Sequence, residues 1–330
     1  MIYELLAAFA AALLVAWIVG RILVPKLRAI KAGQMIRTDG PTWHMSKQGT
    51  PTMGGLIFVA ALVVVCLTVG LPAMLRGDFS ALFVLAFSLV FGAIGFLDDY
   101  EKLKKKQNLG LTAPQKFFIQ LAAAIAFILL LRLTGHLSPN VYVPFFDVSF
   151  KLPEVVYFVF AAFVIVGCVN AVNITDGIDG LAAGVSVPVA ICYAAVAFVW
   201  AKESLGIFAA ALAGGLCGFL IFNFHPARIF MGDTGSLFLG GAVCALALAL
   251  DMPLILITLG IVYIIETLSD IIQVAYFKLT HGKRIFKMAP LHHHLEMCGW
   301  SEYKIFFVFT GISAVFAVIS YLGVFERYLI

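Results

Sequence analysis

Long apolar runs alternate with short polar segments along almost the whole chain. Each run is close to the roughly 20 residues that an α-helix needs to cross a bilayer, although Gly or Pro shortens some of them. The runs lie near residues 1–23, 53–73, 80–97, 116–134, 154–172, 182–200, 205–222, 236–251, 254–279 and 304–325. The pattern predicts an all-α integral membrane protein with about ten transmembrane helices, forming a single polytopic membrane domain over residues 1–330.

The composition strengthens the membrane assignment. Of the 330 residues, 62% are hydrophobic and only 12% are charged, and the mean hydropathy is +1.04. Soluble domains carry about 25% charged residues, so a separate soluble domain does not fit this chain. The net charge of +4 collects in a few loops. This distribution favours membrane topology signals and anionic ligands, and we expect no nucleic-acid partner.

The basic residues are divided unequally between the two faces of the predicted bundle. Ten spans place both termini on one side, and all but five of the 22 Lys and Arg residues then fall in the loops near 21–52, 98–116, 223–235 and 278–304. The five on the other face are Arg76, Arg132, Lys151, Lys202 and Arg327. Because cytoplasmic loops are enriched in Lys and Arg, these four loops are predicted to be cytoplasmic and both termini periplasmic.

One segment on the predicted external face has its own pattern. Gly135 to Pro153 contains three further turn-forming residues, Pro139, Asn140 and Pro144, and alternating apolar positions at Val141, Val143 and Phe145. This arrangement predicts a short hairpin or loop outside the membrane.

Two adjacent carboxylates, Asp98 and Asp99, stand at the end of the third apolar run. Carboxylates at a membrane edge are costly unless they meet a cation, a metal or water, so the pair indicates a functional site. Lys102 and three further lysines follow within about two helical turns, a combination that suits a divalent metal or phosphate. The alternative is an acid-base pair that caps the helix, but acids at a helix C-terminus oppose the helix dipole.

Two later cytoplasmic loops combine oxygen ligands with glycine. The fifth run ends in a segment, Asn170 to Leu181, that is dense in Asn, Asp and Gly. Asp176 and Asp179 share a face if the helix continues, and the alternative is an Asx-rich turn that reverses the chain. The segment from Asn223 to Ser236 repeats the arrangement, with glycines beside Asp233 that permit close approach of a backbone.

Two weaker signals complete the predicted cytoplasmic face. The stretch from Lys47 to Gly55 ends in two glycines, which either let the backbone approach a ligand or another helix, or form a plain helix cap. The stretch from Pro290 to Glu296 contains three consecutive histidines, suited to phosphate oxygens or acid-base work. Consecutive histidines cannot all face one zinc ion, and the alternative here is a basic solvated loop.

Together these stretches resemble the polyprenyl-phosphate N-acetylhexosamine-1-phosphate transferase superfamily, and within it the phospho-N-acetylmuramoyl-pentapeptide transferases of the peptidoglycan branch. The resemblance covers almost the whole chain. It is carried by Thr50-Pro51-Thr52-Met53-Gly54-Gly55, Asp98-Asp99-Tyr100, Asn170 to Leu181, Met231-Gly232-Asp233-Thr234-Gly235-Ser236 and Pro290-Leu291-His292-His293-His294-Leu295-Glu296. The triple-histidine loop and the Thr-Pro-Thr-Met-Gly-Gly stretch are similar to the peptidoglycan branch in particular.

The resemblance implies a multi-pass enzyme of the bacterial cytoplasmic (inner) membrane that has ten helices and is commonly a homodimer. Such an enzyme uses Mg²⁺ to transfer phospho-MurNAc-pentapeptide from UDP-MurNAc-pentapeptide to undecaprenyl phosphate, giving lipid I and UMP. The expected reaction suits a site at the cytoplasmic surface, which is reachable both from water and from membrane lipid. Phosphoryl transfer depends mainly on positioning and on neutralising charge.

The resemblance also implies roles for individual residues. The expected catalytic residues are Asp98, Asp99, Asp233, His292 and His293. Asp233 is the expected magnesium ligand, with Asp98 and Asp99 as further candidates, and Asp98 is assigned to activating the lipid phosphate for direct attack. A two-step route through a phosphorylated carboxylate stays open. The expected substrate-binding residues are Lys47, Thr52, Lys102, Lys116, Asn170, Asn173, Asp176, Asp179, Asn223, Phe230 and His294.

Two other functions compete with this interpretation. A sister transferase that passes GlcNAc-1-phosphate to the same lipid shares the aspartate motifs, but the His292 to Glu296 loop argues against it. A secondary transporter also carries broken helices and intramembrane carboxylates. A transporter places such groups near the midplane and shows repeated halves, whereas here the polar signatures fall on one predicted face.

Overall fold

The computed structural model describes residues 1–29, 47–105, 107, 110–133 and 138–325, and it is mostly helical. The helices are α1 (Ile2–Ala29), α2 (Leu56–Thr68), α3 (Leu71–Leu75), α4 (Ser80–Lys105), α5 (Ala113–Leu133), α6 (Glu154–Thr175), α7 (Leu181–Val199), α8 (Glu203–Asn223), α9 (Gly232–Ala249), α10 (Leu256–Leu259), α11 (Ile261–Leu279), α12 (Leu291–Met297) and α13 (Glu302–Phe325). A 3-10 turn, Pro253–Ile255, precedes α10. Most of the predicted loop near 21–52 lies outside the described residues.

The helices agree with the predicted apolar runs, but not all of them are full-length spans. Among the described residues, eight helices are long and apolar enough to cross a membrane: α1, α4, α5, α6, α7, α8, α9 and α13. A ninth segment bends by 79° between the helix ending at Leu259 and α11. α2 has only 13 residues and ends just before Gly70 and Pro72. The chain is a multi-pass helical membrane protein, and the number of ten spans stays a prediction.

The two most buried spans, α8 and α9, form the centre of the bundle. α8 packs against α1, α2 and α7, while α9 packs against α4 and α6. Small residues permit these contacts, because a Cβ added to Gly214 of α8 would lie 2.1 Å from the backbone oxygen of Phe9 in α1. Membrane helices often approach one another through small residues in this way.

Glycine also brings α4 against the first turn of α9. A Cβ added to Gly95 would lie 2.0 Å from the backbone oxygen of Asp233, and one added to Gly92 would lie 3.2 Å from the Cβ of Phe238. Gly95 stands one helical turn before Asp98 and Asp99. The close approach therefore delivers both carboxylates to the beginning of α9.

The strap, residues 51–55, pairs with the segment that leads into α9. The Phe230 N–H donates to the oxygen of Pro51 at 2.8 Å, and the Gly54 N–H donates to the oxygen of Phe230 at 2.8 Å. A Cβ on Gly55 would lie 2.1 Å from the Cα of Gly235. Both interpretations of these glycines are observed, because Gly55 packs against α9 and is also the N-cap residue of α2.

The predicted hairpin is present at the other end of the bundle. Strands β1 (Asn140–Val143) and β2 (Val148–Lys151) pair antiparallel, with Val143 opposite Val148. The Phe145 N–H in the turn donates to the oxygen of Gly323 at 2.8 Å. This bond fixes the hairpin to the end of α13 that is remote from Glu302.

Replacing Gly95 by Ala is expected to lower the thermal unfolding midpoint in detergent, because the added methyl group would meet the Asp233 backbone at 2.0 Å. Overpacking of this kind typically costs about 1–3 kcal/mol. Gly167→Ala is the matched control, since no described residue outside its own stretch of helix lies within 4 Å of that Cβ position and Ala is the better helix former. A Gly95→Ala midpoint at or above that of the control would contradict the close packing of α4 on α9.

Candidate active site

Asp99 caps the N-terminus of α9 from a different helix. Its Oδ1 accepts the Asp233 N–H at 3.1 Å, and its Oδ2 accepts the Thr234 N–H at 2.9 Å and the Thr234 hydroxyl at 2.7 Å. The first N–H groups of a helix have no partner within the helix and attract negative charge. Asp99 is 2% exposed. Its carboxylate therefore holds the first turn of α9, and with it Asp233, in a fixed place.

Asp233 is the point on which four helices converge. Its Oδ2 accepts from the Nζ of Lys102 and from the Nζ of Lys116, both at 2.8 Å. Its Oδ1 accepts from the Nδ2 of Asn173 at 2.8 Å, and the same nitrogen donates to the hydroxyl of Ser236 at 2.7 Å. α4, α5 and α6 each supply a donor to the first turn of α9. The structure thus brings together four predicted site residues that come from three separate loops.

Asp98 shares one lysine with Asp233. Its Oδ2 lies 2.6 Å from the Nζ of Lys102, one turn further along α4, and its Oδ1 accepts the Leu111 N–H at 2.8 Å. The pair at the end of α4 is thus more than a local acid-base cap, because Asp99 bonds α9 and Lys102 bridges Asp98 to α9.

The aspartate cluster, Asp98, Asp99 and Asp233, offers a donor set that suits a hard divalent cation. One carboxylate oxygen from each residue lies within 4.8 Å of the others. Counted as ionised, the three carboxylates and the ammonium groups of Lys102 and Lys116 have a formal net charge of −1. Mg²⁺ prefers oxygen ligands and is usually held by one or two carboxylates together with water and substrate phosphates. The residues present therefore fit a magnesium ion.

A second polar centre, the Lys47 cluster, consists of Lys47, Asp179, His225 and Glu302. The Nζ of Lys47 lies 2.8 Å from Oδ1 of Asp179 and 2.7 Å from the carboxylate of Glu302. The other oxygen of Asp179 lies 2.9 Å from Nδ1 of His225 and accepts the Ala227 N–H at 3.0 Å. The sequence indicated Lys47 and Asp179 but missed the other two. An acid in the first turn of a helix and a single loop histidine are too common to signal a site.

Asp176 and Asp179 do not share a helical face, because the helix does not continue and the alternative, a turn, is the one observed. α6 ends at Thr175 and α7 begins only at Leu181, so the two side chains lie in the turn between the helices. Asp179 belongs to the Lys47 cluster, while Asp176 lies outside it and is partly buried. Burial, together with the negative charges of Asp233, Asp99 and Asp179, raises the pKa of Asp176 well above its ordinary value.

Two asparagines make their contacts inside the bundle. The Nδ2 of Asn170 donates to Oε1 of Gln120 at 2.6 Å and to the backbone oxygen of Val166 at 2.8 Å. Asn223 donates to the backbone oxygen of Ile229 at 2.9 Å. Both therefore brace the segments that carry the site, and the Oδ1 of Asn223 is buried without a partner among the described residues.

Thr52 of the strap lies beside the aspartate cluster, and Phe230 lies against the strap. A Cβ added to Gly232 would lie 2.6 Å from Oγ1 of Thr52 and 2.6 Å from Oδ2 of Asp99, so Thr52 and Asp99 flank the same glycine. Gly232 has a φ of 72°, a backbone conformation that favours glycine. Phe230 is partly buried, and its backbone is bonded to the strap on both sides.

The three consecutive histidines point to three different partners. The Nδ1 of His292 lies 2.8 Å from Oε2 of Glu266, and the Nδ1 of His293 lies 2.7 Å from Oε2 of Glu296. The Nδ1 of His294 accepts the Lys287 N–H at 3.1 Å. This divergence agrees with the expectation that they do not face one ion. Glu266 was missed, although an acid within an apolar run is itself a signal of function.

Comparison with known proteins assigns the chain to a family. The family model described as glycosyl transferase family 4 matches residues 81–251, and signature 1 of the phospho-N-acetylmuramoyl-pentapeptide-transferases matches residues 47–59. A phospho-N-acetylmuramoyl-pentapeptide-transferase of Clostridium acetobutylicum is 44% identical, covering 98% of each chain. One of Listeria monocytogenes is 44% identical over 97% of this chain and 98% of its own. One of Heliobacterium modesticaldum is 49% identical over 96% of each chain.

Asp176→Asn is expected to raise the thermal unfolding midpoint in detergent, and to raise it more at pH 8 than at pH 5. The raised pKa means that the folded state binds the Asp176 proton more tightly than the unfolded state does. The folded state therefore loses stability as the pH rises from the pKa of the unfolded state, about 3.9, to the raised pKa of the folded state. The Asn side chain does not titrate, so the variant does not suffer this loss. Each kcal/mol corresponds to roughly 2–4 °C in a domain of about 150–250 residues.

The exposed Asp147 of the hairpin provides the control for this experiment. Asp147→Asn is expected to change the midpoint equally at both pH values. A gain for Asp176→Asn that is independent of pH, or that is larger at pH 5, would contradict the placement of Asp176 among the other carboxylates.

Proposed function

The chain belongs to the phospho-N-acetylmuramoyl-pentapeptide-transferase family and to glycosyl transferase family 4, and from this premise we propose that it makes lipid I for peptidoglycan synthesis. It transfers phospho-MurNAc-pentapeptide from UDP-MurNAc-pentapeptide to undecaprenyl phosphate and releases UMP. The observation that supports this most strongly is the convergence of Lys102, Lys116 and Asn173 on Asp233 beside Asp98. Such a cluster suits the binding and transfer of a phosphoryl group.

The proposed location is the bacterial cytoplasmic (inner) membrane, with the site on the cytoplasmic face and both termini periplasmic. The lysines of the two polar centres, Lys47, Lys102 and Lys116, lie at the same end of the bundle. The sequence assigned the loops at this end to the cytoplasm because they hold most of the Lys and Arg residues. A soluble sugar nucleotide and a membrane lipid phosphate can both reach a site at that surface.

Asp233 and Asp98 are the proposed magnesium ligands, since their carboxylates lie near each other and near lysine ammonium groups. When bound, Mg²⁺ neutralises phosphate oxygens and polarises the phosphorus centre. Lys102 and Lys116 supply fixed positive charge for the diphosphate of the donor. Asp99 holds the cluster together through its bonds to α9.

We assign the base to Asp98 because its Oδ2 meets a side chain, the Nζ of Lys102, whereas both oxygens of Asp99 are bonded to backbone N–H groups that hold the first turn of α9 in place. Asp98 takes or holds a proton of the undecaprenyl phosphate, and an oxygen of that phosphate attacks the β-phosphorus of the donor. The bond between the β-phosphorus and the bridging oxygen then breaks, and its electron pair leaves with UMP. The product is the lipid-linked sugar diphosphate, formed in one step.

The Lys47 cluster is proposed to bind the nucleoside end of the donor. Asp179 of this cluster lies in the turn 176–180, which directly follows the last turn of α6 that carries Asn173. One segment therefore serves both centres. Phe230 is proposed to offer its ring to the uracil, and Asn223 and Asp176 to contact the uridine or its phosphates. His293 and His294 are proposed to contact the sugar or its phosphate, and a homodimer stays a prediction.

The donor specificity can be tested by measuring UMP release in detergent with undecaprenyl phosphate as acceptor. Release is expected with Mg²⁺ and UDP-MurNAc-pentapeptide and is expected to stop with EDTA. UDP-GlcNAc is the matched donor that carries the same nucleotide but lacks the lactyl peptide. Turnover with UDP-GlcNAc and none with UDP-MurNAc-pentapeptide would assign the chain to the sister transferases instead.

Asp233→Asn is expected to lower kcat by at least about 100-fold, because metal stabilisation of a phosphoryl-transfer transition state is worth several kcal/mol. The loss is expected to be largest when Mg²⁺ is limiting. Asp147→Asn in the hairpin serves as the control and is expected to retain wild-type turnover. Full turnover of Asp233→Asn at limiting Mg²⁺ would refute the metal assignment.

A further inference from the structure

One carboxylate lies inside an apolar helix and takes no part in either polar centre. Glu266 is in α11, where its side chain is fully buried. Its Oε2 lies 2.8 Å from Nδ1 of His292, and its Oε1 has no partner among the described residues. A buried acid in a membrane helix is energetically costly, and such residues are usually paired with another polar group and have a function. Here the partner is the first histidine of the triple-histidine stretch.

The other side of the His292 ring faces the turn between α6 and α7. His292 is fully buried, and its Nε2 has no hydrogen-bond partner among the described residues. A Cβ added to Gly177 would lie only 2.0 Å from this Nε2. The ring is thus held between Glu266 and the turn that carries Asp176 and Asp179, and its free nitrogen is directed at that turn.

We propose that Glu266 is a positioning residue that fixes the tautomer and orientation of His292, and that Gly177 leaves room for the ring so that its Nε2 faces the α6–α7 turn, where the substrate binds. The proposal rests on the proposed function for the identity of that substrate. A carboxylate that accepts the Nδ1–H keeps this proton on Nδ1, so Nε2 presents its lone pair to the turn. A carboxylate behind a working histidine has the same effect in other enzymes, where its loss leaves the ring in the wrong tautomer.

Glu266→Gln keeps the size of the side chain but lets its amide donate to Nδ1, which moves the ring proton to Nε2. The expected result is a 10- to 100-fold fall in kcat, the range seen when residues behind a ligating histidine are changed. The KM for the donor is expected to stay within about threefold of the wild type, because the Lys47 cluster is untouched. Ser269→Ala is the control on the same helix, since that hydroxyl donates to the backbone oxygen of Glu266 and leaves its carboxylate untouched. It is expected to keep wild-type kcat.

A double substitution separates positioning from a general structural role. In a His292→Ala protein the proposed task of Glu266 has already been lost, so adding Glu266→Gln is expected to lower kcat no further. The unfolding midpoint of this double variant is expected to equal or exceed that of His292→Ala, because Gln removes an unpaired buried charge. A further fall in both kcat and midpoint would show that Glu266 acts on the fold and would overturn the proposal.

Gly177→Ala approaches the same ring from the opposite side. Its methyl group would meet Nε2, and the expected result is a fall in kcat and in the unfolding midpoint. Combining it with His292→Ala removes the clash and is expected to restore the midpoint to that of the His292→Ala protein. If the midpoint stayed low in the double variant, Gly177 would be required for another reason and this part of the proposal would fail.

The tautomer can be observed without any substrate. Nitrogen-15 spectra of histidine-labelled protein in detergent, with His292→Ala to assign the signal, are expected to show the proton on Nδ1 in the wild type and on Nε2 in Glu266→Gln. A wild-type proton on Nε2 would overturn the proposal even if lipid I synthesis were demonstrated. The expected spectra together with an inactive donor assay would instead leave the dyad standing and count against the proposed function.

Discussion

The bond network between Asp99 and the first turn of α9 is the constraint on which the site depends. A carboxylate from α4 takes the place that a capping residue normally has in the chain just before a helix, and it bonds two backbone N–H groups and the hydroxyl of Thr234. Bonds between an ionised group and a helix N-terminus are among the stronger hydrogen bonds in proteins. The approach requires Gly95, since any side chain there would meet the backbone of Asp233. Without this contact, nothing would fix the distance between Asp98 and Asp99 on α4 and Asp233 on α9.

The α6–α7 junction connects the two polar centres. Asn173, in the last turn of α6, bonds Asp233, whereas Asp179, in the turn that follows, bonds Lys47. Gly177 lies between them and meets the ring of His292. A ligand with a charged diphosphate at one end and a polar ring system at the other could span the two polar centres along this one short segment. The arrangement explains why Asn, Asp and Gly are concentrated in this segment rather than spread over several loops.

The sequence predicted which segments meet more reliably than it predicted what each side chain does there. Polar stretches at alternate ends of apolar runs must lie on one face, so the meeting of Asp98, Asn173 and Asp233 followed from topology alone. The capping role of Asp99 did not follow, because its partner is 135 residues away and is chosen by how closely α4 packs on α9. The sequence also left open whether Asp179 lies on a continued helix or in a turn, because helix boundaries are uncertain by a few residues. α6 ends at Thr175, so Asp179 lies in the turn.

The buried acids of this bundle also bear on how its helices choose one another. Asp99 on α4 bonds α9, Glu266 on α11 bonds α12, and Glu302 on α13 bonds Lys47. A buried ion pair adds little net stability, because desolvation offsets most of the attraction, but breaking it by removing one partner is strongly destabilising. In a membrane, where apolar faces are interchangeable, such pairs favour one packing over others that bury similar apolar area. The groups that suit catalysis are thus also the groups that hold the catalytic helices in register, so substitutions here need controls that separate turnover from folding.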